Sequence, residues 1–318
     1  SVCRQKRGGQ EMRVELIDVD GHNFPNLPLM KISAYHKSRG DSVAWYNPLT
    51  AWVSPPERVY MSKVFTFTPD YQHPVNAKEI IRGGTGYSYP DGGAALPEEI
   101  EHIYPDYSIY FERIPEVRNT AYGFLTRGCP RGCEFCIVGK KEGRCAKKVA
   151  DLSEFWDGQK NIVLLDANMF ACKEWRELSV QLEESGAWVD FSQGCDIRIM
   201  TEEKAEYIKR MKIKQVHFAW DRYEDKEKIV PKFKEFKEIT QWDYRKLGVY
   251  VLCNFNTTFE QDLERVYTLR ELGYNPYVML YEKDKIPAGH RLKLLQRWVN
   301  NRIIFRSCKR FEDYDGRK

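Results

Sequence analysis

The sequence of 318 residues lacks any run of eighteen or more apolar residues, the length that a membrane-spanning helix requires. Its first residues, SVCRQKRGGQEM, contain no apolar core of the kind found in secretory signals. An excess of one charge is also missing, because 50 basic residues nearly balance 46 acidic ones and leave a net charge of +4. These absences predict a soluble, cytoplasmic chain without a membrane partner, and they disfavour nucleic acid as a partner.

A framework of paired cysteines is missing as well. The nine cysteines are an odd number, and most are scattered along the chain, which is typical of a protein in a reducing compartment. Only Cys129, Cys133 and Cys136 cluster, within the stretch RGCPRGCEFC. Four others are predicted to be small core residues rather than ligands, namely Cys145, Cys172, Cys195 and Cys253.

The first part of the chain alternates between strand and helix patterns. Strands are predicted from Met12 (MRVELIDV), at Ser42–Tyr46 and at Arg58–Phe65, with a helix at Pro28–Arg39 and a short helix before EIIRGGTGY. After a tail at residues 1–11, residues 12–87 are therefore predicted to form a small, Rossmann-like parallel α/β domain. Residues 88–119 are rich in proline, tyrosine and acidic residues, and we expect a linker or cap there.

A second alternation begins at residue 120. Six strands are predicted, at Tyr122–Thr126, Asn161–Asp166, Trp188–Ser192, Gln215–Trp220, Gly248–Cys253 and Pro276–Tyr281. Four helices are predicted among them, at Lys173–Ser185, Glu202–Met211, Lys226–Ile239 and Glu260–Leu272. This pattern predicts a partial (β/α)6 barrel over residues 120–285, followed by a C-terminal helix and tail at residues 286–318.

The cysteine cluster follows the first strand of the second domain, at the strand end where β/α barrels carry their chemistry. Thiolates spaced this closely can bind one soft metal centre, either zinc or an iron–sulfur cluster. A structural zinc site needs four ligands, and the nearest further thiol, Cys145, lies nine residues beyond Cys136. Three thiolates on a cubane cluster would instead leave one iron without a protein ligand.

The spacing Cys129-x3-Cys133-x2-Cys136, with Phe135 before the third cysteine, resembles the signature of the radical S-adenosylmethionine (radical SAM) superfamily. The resemblance implies a [4Fe-4S] cluster held by the three cysteines, with S-adenosylmethionine on the open iron. It further implies reductive cleavage of S-adenosylmethionine to methionine and the 5'-deoxyadenosyl radical. The electron would come from a reductant such as flavodoxin or ferredoxin.

Polar residues at the ends of the predicted barrel strands are the candidates for binding S-adenosylmethionine. In this family a glycine-rich, acid-ended stretch follows the second strand, and here that place holds LLDANMF. After the third strand, Asp196 could hold ribose hydroxyls and Arg198 a carboxylate, or the two could form a local ion pair. The candidate cofactor-binding residues are Phe135, Asp166, Asn168, Ser192, Gln193, Asp196, Arg198 and Asn254.

An α/β domain ahead of such a barrel resembles the cobalamin-binding branch of the superfamily. The stretch Asp20-x-His22-x2-Pro25 nearly matches the Asp-x-His-x2-Gly pattern that ligates cobalt, but proline replaces the glycine. We therefore expect the first domain to cover a substrate, and cobalamin is the secondary expectation. The candidate substrate-binding residues are His22, Asn23, Phe24, Tyr87, Trp220 and Asn256; no catalytic residue can be named.

Longer stretches, among them LIDVDGHNFPNL, AYGFLTRGCPRGCEFCIV and VDFSQGCDIR, resemble radical SAM proteins of clostridial and gut-phage genomes. One member of similar design is queuine lyase, which cleaves a C–N bond of queuine. The resemblance implies an enzyme acting on a small, heterocyclic or nucleobase-like molecule. Two alternatives stay open: a cobalamin-dependent methylase or other RNA- or peptide-modifying enzyme, and a non-catalytic metal-binding module.

Overall fold

The computed structural model of the chain describes residues 11–21 and 23–316. These residues divide into two compact units. The first comprises the chain up to Gly123 together with residues 130–144 and 152–159, and the second comprises residues 124–129, 145–151 and 160 onwards. Both units combine helices with parallel sheets, so the predicted α/β class is confirmed. The finer domain limits drawn from the sequence stay predictions.

The first unit is built on a four-stranded parallel sheet with the order β2-β1-β3-β4. Its strands are β1 (Arg13–Asp18), β2 (Ser42–Trp45), β3 (Arg58–Ser62) and β4 (Glu79–Gly83). The two central strands carry the buried apolar side chains, including Val14, Leu16, Val59 and Met61. The predicted strands of this unit are thus confirmed, while its assignment as Rossmann-like stays a prediction.

Two helices of the first unit begin with the same local signal, an asparagine cap followed by an early proline. Helix α1 (Leu27–Ser38) is capped by the Asn26 side chain, and α2 (Pro48–Val53) by that of Asn47. The short helix predicted just before Glu79 is wrong, because residues 63–78 form no helix. That segment contains Pro69 and Pro74, which remove helical hydrogen bonds.

The rest of the first unit comprises α3 (Glu98–Glu101), β5 (Thr120–Gly123) and α4 (Val138–Lys141). Residues 98–119 are the later part of the segment 88–119 that was expected to be a linker or cap, and they contribute buried side chains to this unit. Ile100 packs in one apolar cluster with Val14 and Leu29. The Tyr107 hydroxyl donates a hydrogen bond to the carbonyl oxygen of Phe155 over 2.7 Å. The segment is therefore packed against the first sheet rather than extended through solvent.

The second unit contains a two-stranded antiparallel ribbon and two parallel sheets. The ribbon pairs β6 (Thr126–Arg127) with β7 (Lys147–Lys148). One sheet contains β8 (Asn161–Leu164), β9 (Trp188–Phe191) and β10 (Lys212–Ile213), and the other contains β11 (Val216–Ala219), β12 (Leu247–Cys253) and β13 (Asn275–Leu280). An isolated parallel bridge pairs Cys195 with Phe218. Of the six strands predicted from residue 120 onwards, five are confirmed, and the first, Tyr122–Thr126, is divided into β5 and β6 by Phe124 and Leu125. Closure of the strands into a barrel stays a prediction.

Six helices complete the second unit: α5 (Trp175–Ser185), α6 (Glu202–Arg210), α7 (Lys226–Thr240), α8 (Phe259–Glu271), α9 (Arg291–Asn300) and α10 (Arg302–Ser307). The first four confirm the predicted helices to within two residues. Helix α8 begins with a capping box, in which Thr258 and Gln261 satisfy each other's backbone N–H groups. Among all the helices in the described part of the chain, none has the length and apolar character to cross a membrane.

Within each parallel sheet the carboxyl ends of the strands lie at one edge. The candidate polar residues of the second unit follow β8, β9, β11 and β12 directly. The fold therefore places them at the carboxyl ends of parallel strands, which is where α/β proteins bind their ligands.

Candidate functional site

The cysteine loop follows β6 and is shaped by two glycines in the left-handed region. Gly128 has φ 89° and Gly132 has φ 59°, a conformation that costs a residue with a side chain. Cys129, Cys133 and Cys136 are all partly exposed, as is Phe135. The Cys136 N–H donates to the Cys133 carbonyl oxygen over 3.0 Å, which closes a tight turn. The sequence thus places three accessible thiols on eight consecutive residues.

Asp166, just beyond the end of β8, holds the backbone that leads into this loop. Its carboxylate is 4% exposed and accepts hydrogen bonds from Leu125 N (3.1 Å), Thr126 N (2.5 Å) and Thr126 Oγ1 (2.6 Å). Burial raises the pKa of Asp166 to about 6, although these three donors favour the ionised form. Both carboxylate oxygens are engaged within the protein, so the contacts favour a positioning role for Asp166.

Replacing Asp166 with asparagine should destabilise the second unit by about 1–3 kcal/mol at neutral pH, because an amide cannot accept all three hydrogen bonds. The loss should be larger at low pH. A carboxyl group whose pKa is raised by folding contributes stability that is fully present below its unfolded pKa of about 4 and disappears as the pH rises through about 6. Urea unfolding of both proteins at pH 5 and pH 7.5 measures this difference. If the free energies of unfolding of the two proteins differed by the same amount at both pH values, the raised pKa of Asp166 would be contradicted.

Asn168 follows two residues later and is 3% exposed. Its Nδ2 lies 3.6 Å from Cys129 Sγ, in donor position. Its Oδ1 is buried and has no hydrogen-bond partner within the described residues. An amide with one end at a cysteine sulfur and the other end unsatisfied is unusual, since buried polar groups are almost always paired.

The candidates after β9 form mostly local contacts. The Ser192 hydroxyl donates to the Leu164 carbonyl oxygen over 2.7 Å, and Gln193 is exposed beside it. Arg198 donates to Asp196 over 2.7 Å and to Asp225 over 3.0 Å. The Asp–Arg pair considered from the sequence is therefore present. Two carboxylates compete for the guanidinium that was predicted to bind a ligand carboxylate.

The ends of β11 and β12 hold Trp220, Asn254 and Asn256. Trp220 is 1% exposed, and its Nε1 donates to the Arg222 carbonyl oxygen over 2.9 Å, so its burial favours packing over contact with a ligand. Asn254 and Asn256 are exposed and have φ values of 68° and 53°, in the left-handed region. Asn254 also donates to the Tyr281 carbonyl oxygen over 3.2 Å. The roles predicted for these three side chains stay predictions.

A buried ion pair under these strand ends was missed from the sequence. Asp262 and Arg265 lie on α8 at i,i+3 spacing, are essentially unexposed, and pair over 2.5 Å. Arg265 also donates to the carbonyl oxygens of Trp220 (2.6 Å) and Leu252 (2.8 Å). Asp262 accepts from Asn254 N over 3.1 Å. The D-x-x-R spacing in the helix was the available signal, but its long-range partners are not visible in the sequence.

Asp221 directly follows Trp220 at the end of β11 and is partly buried. Burial raises the pKa of Asp221 to about 6, while Arg198 and Arg265 act in the opposite direction. A carboxyl group poised near neutrality at a strand end is a candidate for proton transfer.

The candidates of the first unit lie beyond β1 and β4. Asn23 is exposed, and Phe24 is 40% exposed with its ring edge-to-face on Phe65 at a centroid distance of 5.7 Å. The Tyr87 hydroxyl donates to Asp70 over 2.5 Å, and burial together with this hydrogen bond raises the pKa of Tyr87. The candidate His22 lies outside the described residues.

Asp20, the first residue of the pattern compared with cobalamin proteins, is buried and fully engaged. Its carboxylate accepts from Val64 N, Phe65 N and Thr68 Oγ1 over 2.5, 3.2 and 2.8 Å. These contacts tie the loop after β1 to the loop after β3. A structural role explains this carboxylate without a cofactor.

A metal-binding group was predicted at Cys129, Cys133 and Cys136. Within residues 11–21 and 23–316, no three or more His, Cys, Asp and Glu side chains converge as the ligands of a single ion would. The cysteines of a cubane cluster each bind a different iron, and they therefore lie further apart than the ligands of one ion. The donor set of three thiols suits iron–sulfur chemistry, and the unpaired Asn168 amide beside Cys129 is compatible with a group that is not part of the chain. The chemistry of the donor set fits the cluster, whose presence stays a prediction.

One of the four cysteines predicted to lie in the core is exposed. Cys172, Cys195 and Cys253 are buried, but Cys145 is exposed, because it precedes the short surface strand β7 rather than a core strand. Burial raises the pKa of the Cys195 and Cys253 thiols, which disfavours their reactive thiolate forms.

Iodoacetamide should therefore label Cys145 in the folded chain, whereas Cys195 and Cys253 should react only after unfolding. Peptide mass spectrometry after a short pulse, with and without urea, gives the three extents separately. Equal labelling of Cys145 and Cys195 in the folded protein would contradict the described burial.

Comparisons with known proteins do not identify a family. No family model matches the chain, and no curated protein matches it. Among solved structures the chain is similar to SuiB of Streptococcus suis, with 11% identity over 67% of this chain and 54% of that one, at a TM-score of 0.39. SuiB bound to the precursor peptide SuiA gives 12% identity, 68% and 55% coverage, and the same TM-score. This chain spans about half the length of those structures, and so distant a likeness carries no argument about function.

Proposed function

We propose that the chain is a radical SAM enzyme in which Cys129, Cys133 and Cys136 hold a [4Fe-4S] cluster and S-adenosylmethionine occupies the iron they leave open. The observation that carries the proposal is the spacing of three accessible thiols on a loop bent by left-handed Gly128 and Gly132. When bound, the cluster and S-adenosylmethionine supply a carbon radical that can remove hydrogen from an unactivated C–H bond.

Residues at the strand ends of the second unit then have distinct tasks. Asp166 fixes the entry to the cysteine loop through Leu125 and Thr126. The unpaired Oδ1 of Asn168 is an acceptor for the amino group of S-adenosylmethionine. Arg198, which Asp196 and Asp225 hold at the end of β9, is the proposed partner of the carboxylate of S-adenosylmethionine.

The remaining candidates would contact the rest of the bound molecules. Polar groups at the ends of β9 and β12 can bind ribose hydroxyls or substrate, and these are the partly exposed Ser192 and the exposed Gln193, Asn254 and Asn256. The half-exposed ring of Phe24, with Asn23 and Tyr87, supports binding of a planar substrate by stacking. Phe135 supports the cluster loop from its position beside Cys136.

The substrate class proposed is a small heterocyclic or nucleobase-like molecule. The most specific form of the proposal is cleavage of the C–N bond that joins the cyclopentenediol of queuine to its amine, releasing 7-aminomethyl-7-deazaguanine. The resemblance of several long sequence stretches supports this choice.

An electron donor is also required, and an acidic protein such as flavodoxin or ferredoxin is proposed. Arg131, Lys140 and Lys141 lie on or just after the cysteine loop and are exposed. Positive charge at this place favours encounter with an acidic partner.

The test is anaerobic reconstitution with iron and sulfide, followed by addition of S-adenosylmethionine, dithionite and queuine. We expect formation of 5'-deoxyadenosine, together with release of 7-aminomethyl-7-deazaguanine. Formation of 5'-deoxyadenosine without release of the base would retain the radical SAM chemistry and reject queuine. A chain that takes up no iron and forms no 5'-deoxyadenosine would reject the whole proposal.

A further inference from the structure

The Asn168 side chain is held in place by more than its contact with Cys129. It precedes a 3-10 turn, Met169–Ala171, in which Met169 and Phe170 are 3% and 2% exposed. Asp166, two residues earlier, is anchored by its hydrogen bonds to Leu125 and Thr126. The backbone that carries Asn168 is therefore fixed at a packed strand end, and the side chain itself is 3% exposed.

The same strand end thus holds the cysteine loop at two points. Asp166 binds the backbone three residues before Cys129, and Asn168 contacts the sulfur itself at 3.6 Å. Both contacts lie within the second unit. Such outer contacts orient a metal ligand and adjust the metal's properties.

The direction of the Asn168 amide follows from the chemistry of sulfur. A thiolate that binds iron has no proton to donate, so it can only accept a hydrogen bond. Of the two ends of an asparagine amide, only the N–H end can serve it. The Oδ1 end then points away, and leaving it buried without a donor destabilises the folded chain. The packing of the fold does not by itself explain why Asn168 Oδ1 is buried without a donor.

We propose that Asn168 is a positioning residue that donates a hydrogen bond to the Cys129 sulfur and raises the reduction potential of the cluster. The inference rests on the proposed function, because it requires a cluster on Cys129. A donor to a ligand sulfur stabilises the extra negative charge that reduction places on the cluster. Asn168 thereby makes the cluster easier to reduce before S-adenosylmethionine is cleaved.

Two variants test the inference in the full chain. Asn168→Asp keeps the size of the side chain, removes the N–H donor and adds a negative charge; Asn168→Ala removes the donor without adding charge. Asn275→Asp is the matched control, since Asn275 begins β13, at the opposite end of the strands from this site. Circular dichroism and iron content establish that each variant folds and loads a cluster.

The main readout is the reduction potential of the reconstituted cluster, measured by a redox titration followed by electron paramagnetic resonance. We expect a more negative potential in Asn168→Ala, a still more negative one in Asn168→Asp, and no change in Asn275→Asp. The Fe–S stretching bands in resonance Raman spectra should shift in both Asn168 variants. Unchanged potentials and bands in fully loaded Asn168 variants would overturn the inference and leave the proposed function intact.

A second readout does not need a cluster. In the metal-free protein, the rate at which iodoacetamide labels Cys129 is compared with the rate for Cys133 in the same molecules. Asn168→Asp should slow labelling of Cys129 severalfold relative to Cys133, because a carboxylate replaces the donor beside Sγ. An unchanged ratio would overturn the contact even if the wild-type chain proves unable to bind iron.

Discussion

Replacing any one of Cys129, Cys133 and Cys136 with alanine should abolish cluster binding and formation of 5'-deoxyadenosine. Each thiolate is expected to hold a different iron of the cubane, so two remaining cysteines would leave a second iron open to water and to loss of the cluster. Wild type should bind about four irons and four acid-labile sulfides per chain after reconstitution. Each variant should lose most of both, together with the visible absorbance of the cluster.

Cys145→Ala is the matched control for these three variants. Cys145 is exposed and lies only nine residues beyond Cys136, but outside the predicted signature. Its replacement should leave iron content and 5'-deoxyadenosine formation unchanged. Two results would contradict the cluster: full iron binding by the Cys129→Ala chain, or about one zinc and no iron in wild type, which would indicate the zinc alternative.

The strands of both units could be predicted from the sequence because each is a short apolar run between turn signals. Strand β12 (LGVYVLC) and strand β1 (RVELID) are examples, and the observed ends fall within one or two residues of the predicted ones. Their apolar residues are nearly all buried, so local pattern and final packing agree. The short helix predicted before Glu79 failed because prolines in that segment outweigh its weak periodicity.

The positions of the candidate site residues followed from the same pattern, but their partners did not. That Asp166 and Asn168 follow β8 can be read from the chain, since polar residues end an apolar run. That Asp166 binds Thr126, 40 residues earlier, depends on how distant segments meet. Trp220 illustrates the same limit, because its place at a strand end could be predicted from the sequence, whereas its near-complete burial and the hydrogen bond from its indole N–H to the Arg222 carbonyl oxygen could not.

The largest change in the free energy of unfolding is expected from loss of the contacts between Asp262 and Arg265. Replacing Arg265 with methionine should lower the free energy of unfolding by about 3–5 kcal/mol, because it leaves the Asp262 carboxylate buried without its partner. It also removes the donors to the carbonyl oxygens of Trp220 and Leu252 at the ends of β11 and β12. Urea unfolding followed by tryptophan fluorescence measures the loss.

Two further variants separate charge from shape. Lys232→Met removes a surface ion pair of the same i,i+3 spacing, with Glu235 on α7, and should lower the free energy of unfolding by less than about 1 kcal/mol.

The double variant Asp262→Asn with Arg265→Met should recover part of the loss, since no unpaired charge is then buried. It should not recover all of it, because the two carbonyl oxygens still lack their donor. Hydrogen exchange should be faster at the ends of β11 and β12 in both Arg265 variants. A cost for Arg265→Met no larger than that for Lys232→Met would mean that this pair does not hold the strand ends that carry Asn254 and Asp221.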